Sequence, residues 1–269
     1  MKKIKVLIVG GCFTQQSDIV WSNLYHQIIK QKLAKENNID VEIIIVRYER
    51  LSKCFEKITT VCQQHEPDYF LFHLRAEPIL RVSKLYYKYR DSNGRMNRSL
   101  NLLPLNINKP ESHRHFINRD TISSNVLILK KENVTHYILR EANYILGLLV
   151  GNLSNALNSY MGLIKEINEF CINKGIKLMI IGPVSRPHTL MEDFISIKLN
   201  NRFESCLQFS NVSFVKCLGV YTDDSQKLFS EGGILVNETG HKRIADLIYT
   251  EMKNSFIPFV RNKFLPTAQ

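Results

Sequence analysis

Five short apolar runs, at residues 4–9, 41–46, 69–72, 178–181 and 212–215, are rich in β-branched or aromatic side chains, and stretches of helical periodicity separate them. This alternation constrains the fold more than any other feature of the chain. Near-continuous apolar runs suit parallel strands buried on both faces, and strands alternating with helices wind into a sheet covered on each side. The pattern predicts an α/β chain: a three-layer α/β/α sandwich with a five-stranded parallel sheet in the order 2-1-3-4-5. Residues 17–35 carry Ile19, Val20, Leu24, Ile28 and Leu33 near one helical face, and residues 239–252 carry Ile244, Leu247 and Ile248. Residues 134–173 also read as helical, with Gly147, Gly151 and Gly162 as weak points. Between the third and fourth runs the chain turns polar and basic, with Pro104, Pro110 and the turn signal Ser92-Asn93-Gly94. A segment of that length reads as a lid or cap, around 90–133, across the carboxyl edge of the sheet. With no repeat and no linker, residues 1–269 read as one domain.

The formal net charge is +11, and Arg and Lys concentrate between Arg75 and Arg119. Such an excess either steers anionic ligands or keeps a surface solvated. Arg81, Lys84, Lys88 and Arg90 recur at helical spacing, as on a solvated face, and Tyr86, Tyr87 and Tyr89 among them read as packing residues. No zinc finger, RNP aromatic motif or basic helix is present, so no nucleic-acid partner is expected. Cysteines stand at 12, 54, 62, 171, 206 and 217 without a CxxC pair, which argues against a zinc site and a disulfide framework. No metal site is expected. No apolar run approaches the ~18 residues that span a bilayer. Met1-Lys2-Lys3-Ile4 leads straight into a strand rather than a secretory signal. The expected location is cytoplasmic, and the sequence leaves the oligomeric state open.

The chemistry concentrates in Val6-Leu7-Ile8-Val9-Gly10-Gly11-Cys12-Phe13-Thr14. Here a strand ends in two glycines and a thiol, at the carboxyl edge where open α/β sheets bind ligands. Cys12 is either a nucleophile or a small residue in a tight turn. As a nucleophile it needs its pKa lowered, or a base to take its proton. The start of a helix favours negative charge, and backbone donors at Gly11 or Cys12 suit an oxyanion. Three histidines are candidate bases. His73 follows strand three, His188 follows strand four in Gly182-Pro183-Val184-Ser185-Arg186-Pro187-His188, and His241 opens the last helix. Each also reads as an ordinary hydrogen-bonded histidine. Gly10, Gly11, Arg75 and Arg186 are the candidate substrate-binding residues. A guanidinium pairs bidentately with carboxylate or phosphate, although Arg75 has Glu77 beside it as an alternative ion-pair partner. Asp223-Asp224 reads as a loop pair.

Three segments together resemble the SGNH/GDSL hydrolase superfamily. Gly10-Gly11-Cys12 stands where that family has Gly-Asp-Ser, and His73-Leu74-Arg75-Ala76 where it has Gly-x-Asn-Asp. The run from Gly232 to Ala245 stands where the family has Asp-x-x-His and Pro-Asn before a helix opening on Gly-His. The helix opening, Gly240-His241, matches; the catalytic slots depart. Cys12 occupies the serine slot, Leu235 the histidine slot and Gly232 the aspartate slot, with Glu231 one residue early. Gly10-Gly11-Cys12-Phe13 is also similar to the Gly-Ser-Cys-Phe signature of a cysteine-bearing branch. The resemblance implies a flavodoxin-like fold and acyl transfer or ester hydrolysis through a thioester on Cys12, with an anionic or carrier-linked acyl substrate. It implies no required cofactor and admits acyl-coenzyme A or another acyl carrier as co-substrate. The empty dyad slots keep a second reading open, a non-catalytic protein of this fold that binds an anionic ligand. A third, redox sensing at Cys12, lacks a resolving partner.

Overall fold

The computed structural model describes residues 2–14, 16, 19–48, 51–80, 115–117, 138, 141–142, 144–145, 148, 153–184, 190–204, 211–217, 228–229 and 236–264; of these, Lys2, Cys12, Ser52, Glu77, Leu80, 115–117 and 259–264 are described by their backbone alone. The sheet is built from β1 (Lys2–Gly10), β2 (Ile39–Arg47), β3 (Tyr69–His73), β4 (His115–Ile117), β5 (Lys177–Ile181) and β6 (Val212–Val215). Its order is β4-β2-β1-β3-β5-β6. The five strands anticipated from the sequence are parallel and in the expected order. The addition is β4, which pairs antiparallel with β2 through Ile44–Ile117, Ile45–Phe116 and Val46–His115. It lies within the segment read as a lid. Without it β2 would present an unpaired apolar edge. The rest of 90–133 lies outside the described residues.

Side chains of β1, β2, β3 and β5 alternate between two apolar cores. Leu7 and Val9 of β1, Ile44 and Val46 of β2, Phe70 and Phe72 of β3, and Leu178 and Ile180 of β5 share one core. The facing helices are α2 (Cys54–His65), α4 (Leu153–Lys174) and α5 (Leu190–Glu204). Ile4, Val6 and Ile8, Ile43 and Ile45, Tyr69 and Leu71, and Met179 and Ile181 point the other way, against α1 (Tyr25–Asn37) and α6 (Glu238–Phe264). A short helix, α3 (Glu77–Leu80), follows β3. Burial on both faces is the physical reason the strands read as unbroken apolar runs.

The helix ends differ from the sequence expectation for local reasons. The first helix begins at Tyr25, not near residue 17, after a 3-10 turn at Trp21–Asn23 and an extended Leu24. Its first N–H, from Tyr25, donates to His241 Nδ1 at 3.2 Å. An otherwise unsatisfied helix-terminal donor is thus capped from across the fold. Helix α4 passes through Gly162 and stops at Gly175, whose φ of 65° suits glycine. Helix α6 opens with Asn237 Oδ1 accepting the Gly240 N–H at 3.0 Å and continues through Pro258.

Candidate active site

The strand ends are tied together before any side chain enters. Tyr48 N–H donates to the Gly10 carbonyl at 3.2 Å, Leu74 N–H to that of Ile181 at 2.8 Å, and Gly182 N–H to that of Val215 at 2.8 Å. Three carboxyl-end turns thereby meet around one small cleft that opens to solvent. Gly11, Phe13 and Thr14 line it from the first turn, His73, Leu74, Arg75 and Ala76 from the second, and Gly182, Pro183 and Val184 from the third.

The two glycines at the end of β1, Gly10 and Gly11, serve close approach. Among the described glycines only Gly175 has positive φ, so neither Gly10 nor Gly11 is needed for its dihedral. A Cβ on Gly10 would lie 2.6 Å from Thr14 Cγ2 and 3.3 Å from His73 Cδ2. One on Gly11 would run into the Arg75 guanidinium. The chain continues into a 3-10 turn, Cys12–Thr14, closed by the Thr14 N–H at 3.1 Å and the Thr14 hydroxyl at 2.6 Å, both donating to the Gly11 carbonyl. Gly11→Ala is therefore expected to destabilise the fold by about 1–3 kcal/mol through overpacking. Arg75→Ala in the same chain should recover most of that loss. Urea unfolding of the four proteins in this cycle checks it, and a coupling under ~0.5 kcal/mol would contradict the contact.

The segment from His73 to Arg75 is held by two buried tyrosines. Arg75 N–H donates to the Tyr160 hydroxyl at 3.1 Å, the Tyr160 and Tyr48 hydroxyls bond to each other, and the Tyr48 hydroxyl donates to the His73 carbonyl at 2.7 Å. The guanidinium donates from Nη1 to the Tyr48 carbonyl at 2.5 Å, and its carbon lies 5.3 Å from the centre of the Tyr48 ring. Burial raises the pKa of both phenols, so they stay neutral scaffold.

Three histidines surround Tyr25. The Tyr25 hydroxyl and His73 Nε2 share a 2.6 Å hydrogen bond. His241, stacked on the Tyr25 ring, accepts the Tyr25 N–H on Nδ1 and donates from Nε2 to Gln16 Oε1 at 3.2 Å. Gln16 passes the chain on by donating to the Val236 carbonyl at 2.5 Å. His26 donates from Nε2 to the Thr14 carbonyl at 3.0 Å. Burial lowers the pKa of His73 and His241 to about 3 and of His26 to about 4, so all three are neutral near pH 7. His26 and Arg75 add to the lowering at His73.

Of the sequence candidates, Gly11, His73 and Arg75 come together in the cleft, and Gly10 packs directly beneath it. The backbone of Cys12 lies between two lining residues, Gly11 and Phe13. His241 is not among the residues lining the cleft; it is wholly buried, with both ring nitrogens engaged. Arg186 and His188 lie outside the described residues, as do Glu231, Gly232 and Leu235. Sequence reasoning passed over Tyr25, Tyr48, Tyr160 and Gln16. Each tyrosine sits in or beside a strand or helix and reads there as one more apolar residue, with no local signal for its hydroxyl.

Cys54, Cys62, Cys171 and Cys217 are buried thiols without disulfides. Burial pushes Cys62 and Cys217 up to about 12, well away from reactivity. Among the described residues no group of three or more His, Cys, Asp or Glu side chains is placed to hold a metal ion, and no helix is long and apolar enough to cross a membrane.

The sheet order, the two-sided helical cover and a cleft at the carboxyl edge make a three-layer α/β/α fold that is shared with solved structures of lipolytic proteins and esterases. Solved structures with this architecture include a family 3 carbohydrate esterase from Clostridium thermocellum, 13% identical over 96% of this chain and 99% of that one, with a TM-score of 0.55. The lipase Lip_vut3 from a goat rumen metagenome is 10% identical over 92% and 96%, with a TM-score of 0.55. A protein from Desulfitobacterium hafniense described as lipolytic and of the G-D-S-L family is 10% identical over 91% and 98%, with a TM-score of 0.51. No protein-family model matches the chain, and no curated protein matches it in sequence.

Proposed function

We propose that the cleft is the active site of an acyl hydrolase or acyltransferase that works through Cys12. One observation carries this reading. The turns after β1, β3 and β5 converge on a single cleft, and Cys12 stands in the chain between two residues that line it, Gly11 and Phe13. The neighbours of the same fold are esterases and lipases by name, which supports ester hydrolysis as the reaction class.

In this mechanism a neutral imidazole takes the thiol proton as the sulfur adds to the acyl carbonyl carbon. The resulting oxyanion is held by backbone N–H groups of the first turn and by the positive charge of Arg75. The bond to the leaving oxygen or sulfur then breaks, and the leaving group takes the proton from the imidazolium. A thioester on Cys12 remains. Water or an acceptor hydroxyl attacks it, gives its proton to the same imidazole, and expels the thiolate, which is reprotonated. His73 is the base in this reading because it lines the cleft, with Tyr25 fixing its ring. His188 is the alternative base, and His241 positions α1 instead of reacting. Arg75 and Arg186 receive the anionic part of the substrate, such as the phosphates of an acyl-coenzyme A or another carrier. The proposed setting is cytoplasmic, where a thiol stays reduced. No cofactor and no nucleic-acid partner enters the scheme.

The second reading, binding of an anionic ligand without turnover, also has an observation in its favour. A histidine lowered to about 3 by burial is a weak base. The experiment that separates the two is hydrolysis of p-nitrophenyl acetate and of acetyl-coenzyme A by the purified protein and by Arg75→Gln. The enzyme reading expects turnover of at least one substrate, with Arg75→Gln lowering kcat/KM for the coenzyme A thioester by ~10-fold or more. Absence of turnover with both, together with coenzyme A binding that weakens in Arg75→Gln, supports the binding reading.

A further inference from the structure

The cleft has a second polar end that the chemistry above does not use. Helix α5 carries Glu192, Ser196 and Asn200 at successive i, i+4 positions, on the face turned to the end of β5. All three are buried, Ser196 at 1% exposure and Asn200 at 0%. Glu192 and Ser196 line the cleft. The Ser196 hydroxyl and both polar atoms of the Asn200 amide have no hydrogen-bond partner among the described residues. Asn200 reaches the strand end because residue 182 is glycine: a Cβ there would lie 2.6 Å from Asn200 Oδ1.

Unpaired buried polar groups are rare in native proteins, because each gives up its hydrogen bonds to water. Apolar residues of similar size would pack this helix face more stably. The hydroxyl at 196 and the amide at 200 are neutral groups that each donate and accept, and the Glu192 carboxylate beside them accepts. Their joint complement is a neutral group that donates and accepts as well. A second carboxylate would face Glu192 unfavourably, and a methyl group would leave the hydroxyl unpaired. Leu74, Ala76, Pro183 and Val184 line the same cleft and supply apolar wall.

We infer that Ser196, backed by Asn200, forms a specificity subsite for a hydroxyl group on the acyl chain of the substrate, so that the cleft selects hydroxyacyl over plain acyl groups. The inference rests on the reading of the cleft as an acyl-substrate site. A site built around a hydrogen bond discriminates strongly against an analogue that lacks the group, because its own polar atoms are then left unpaired.

The test uses free acids as probes, so it does not depend on turnover. Affinities of the full-length protein are measured by ligand-observed NMR for 3-hydroxypropanoate, 4-hydroxybutanoate and 5-hydroxypentanoate, each against the methyl-ended acid of equal length. The expected result is a preference of at least ~10-fold for the hydroxy acid at one chain length. Ser196→Ala should bring that ratio to within ~2-fold of one. The same variant should unfold at a higher temperature than the parent, since it deletes a buried hydroxyl with no partner among the described residues, so loss of preference is not loss of fold. Equal affinities at every length, including absence of binding, overturn the inference. So does a preference that survives both Ser196→Ala and Asn200→Leu. If the preference is present but no acyl ester turns over, the subsite stands and the enzyme reading falls. Turnover without preference overturns the subsite and leaves the enzyme reading in place.

Discussion

Stability is expected to fall steeply as the pH drops below about 6.5, the ordinary histidine value, because three histidines are buried around Tyr25 in neutral form. Their folded values, about 4 for His26 and about 3 for His73 and His241, lie below that ordinary value. Between the folded and unfolded values the unfolded chain binds more protons, so acid favours unfolding. The contribution is complete above pH 6.5 and is lost progressively toward pH 3–4. Each group contributes up to ~1.4 kcal/mol per pH unit, so three together approach ~4 kcal/mol per unit at the steepest. By pH ~5 the loss reaches about 6 kcal/mol, enough to unfold a chain at the low end of the usual range of about 5–15 kcal/mol. Urea unfolding at a series of pH values from 7.5 to ~4.5 measures the slope. A slope below ~1.4 kcal/mol per unit between pH 6.5 and 5 would contradict the neutral cluster. His241→Gln, which keeps polar atoms near Tyr25 N–H and Gln16, should flatten the slope by about a third.

Removing the thiol has the largest expected effect on activity. Cys12→Ala is expected to lower kcat for an activated acyl ester by at least ~1000-fold, since covalent catalysis is lost and only binding and oxyanion stabilisation remain. The fold should be indifferent to the change, with an unfolding midpoint close to that of the parent. Cys12→Ser should fall between the two, because a serine hydroxyl needs a stronger base than a histidine lowered to about 3. Steady-state kinetics on the three proteins, with thermal unfolding as a control, decide the point. Full activity in Cys12→Ala would contradict the thiol mechanism.

The architecture was legible because it is written in unbroken apolar runs and helical patterns that neighbouring residues carry together. The runs that became β1, β2, β3 and β5 each bury both faces, which is why apolar continuity alone identified them; β6 is only partly buried but carries the same kind of run. Strand β4 gave no such signal: three residues in a polar stretch pair with β2 through backbone groups. The start of α1 was also hidden, because the cap on Tyr25 comes from His241, 216 residues away.

At the site, Gly11 and Arg75 were each noticed, but not that one makes room for the other. That relation exists only once β1 and β3 lie side by side. The same holds for the Tyr48–Tyr160 pair, and for Ser196, which reads in sequence as an ordinary polar helix residue and in the fold as part of the cleft.

The central claim, an acyl group carried on Cys12, is tested most directly by acid-quenching the protein during turnover of p-nitrophenyl acetate and mapping the adduct by peptide mass spectrometry. The account predicts a single acetyl group on the peptide that contains Cys12, absent from the Cys12→Ala variant and released by hydroxylamine as a thioester is. Turnover with no adduct on that peptide, or an acetyl group on another side chain that forms and decays at the turnover rate, would contradict it.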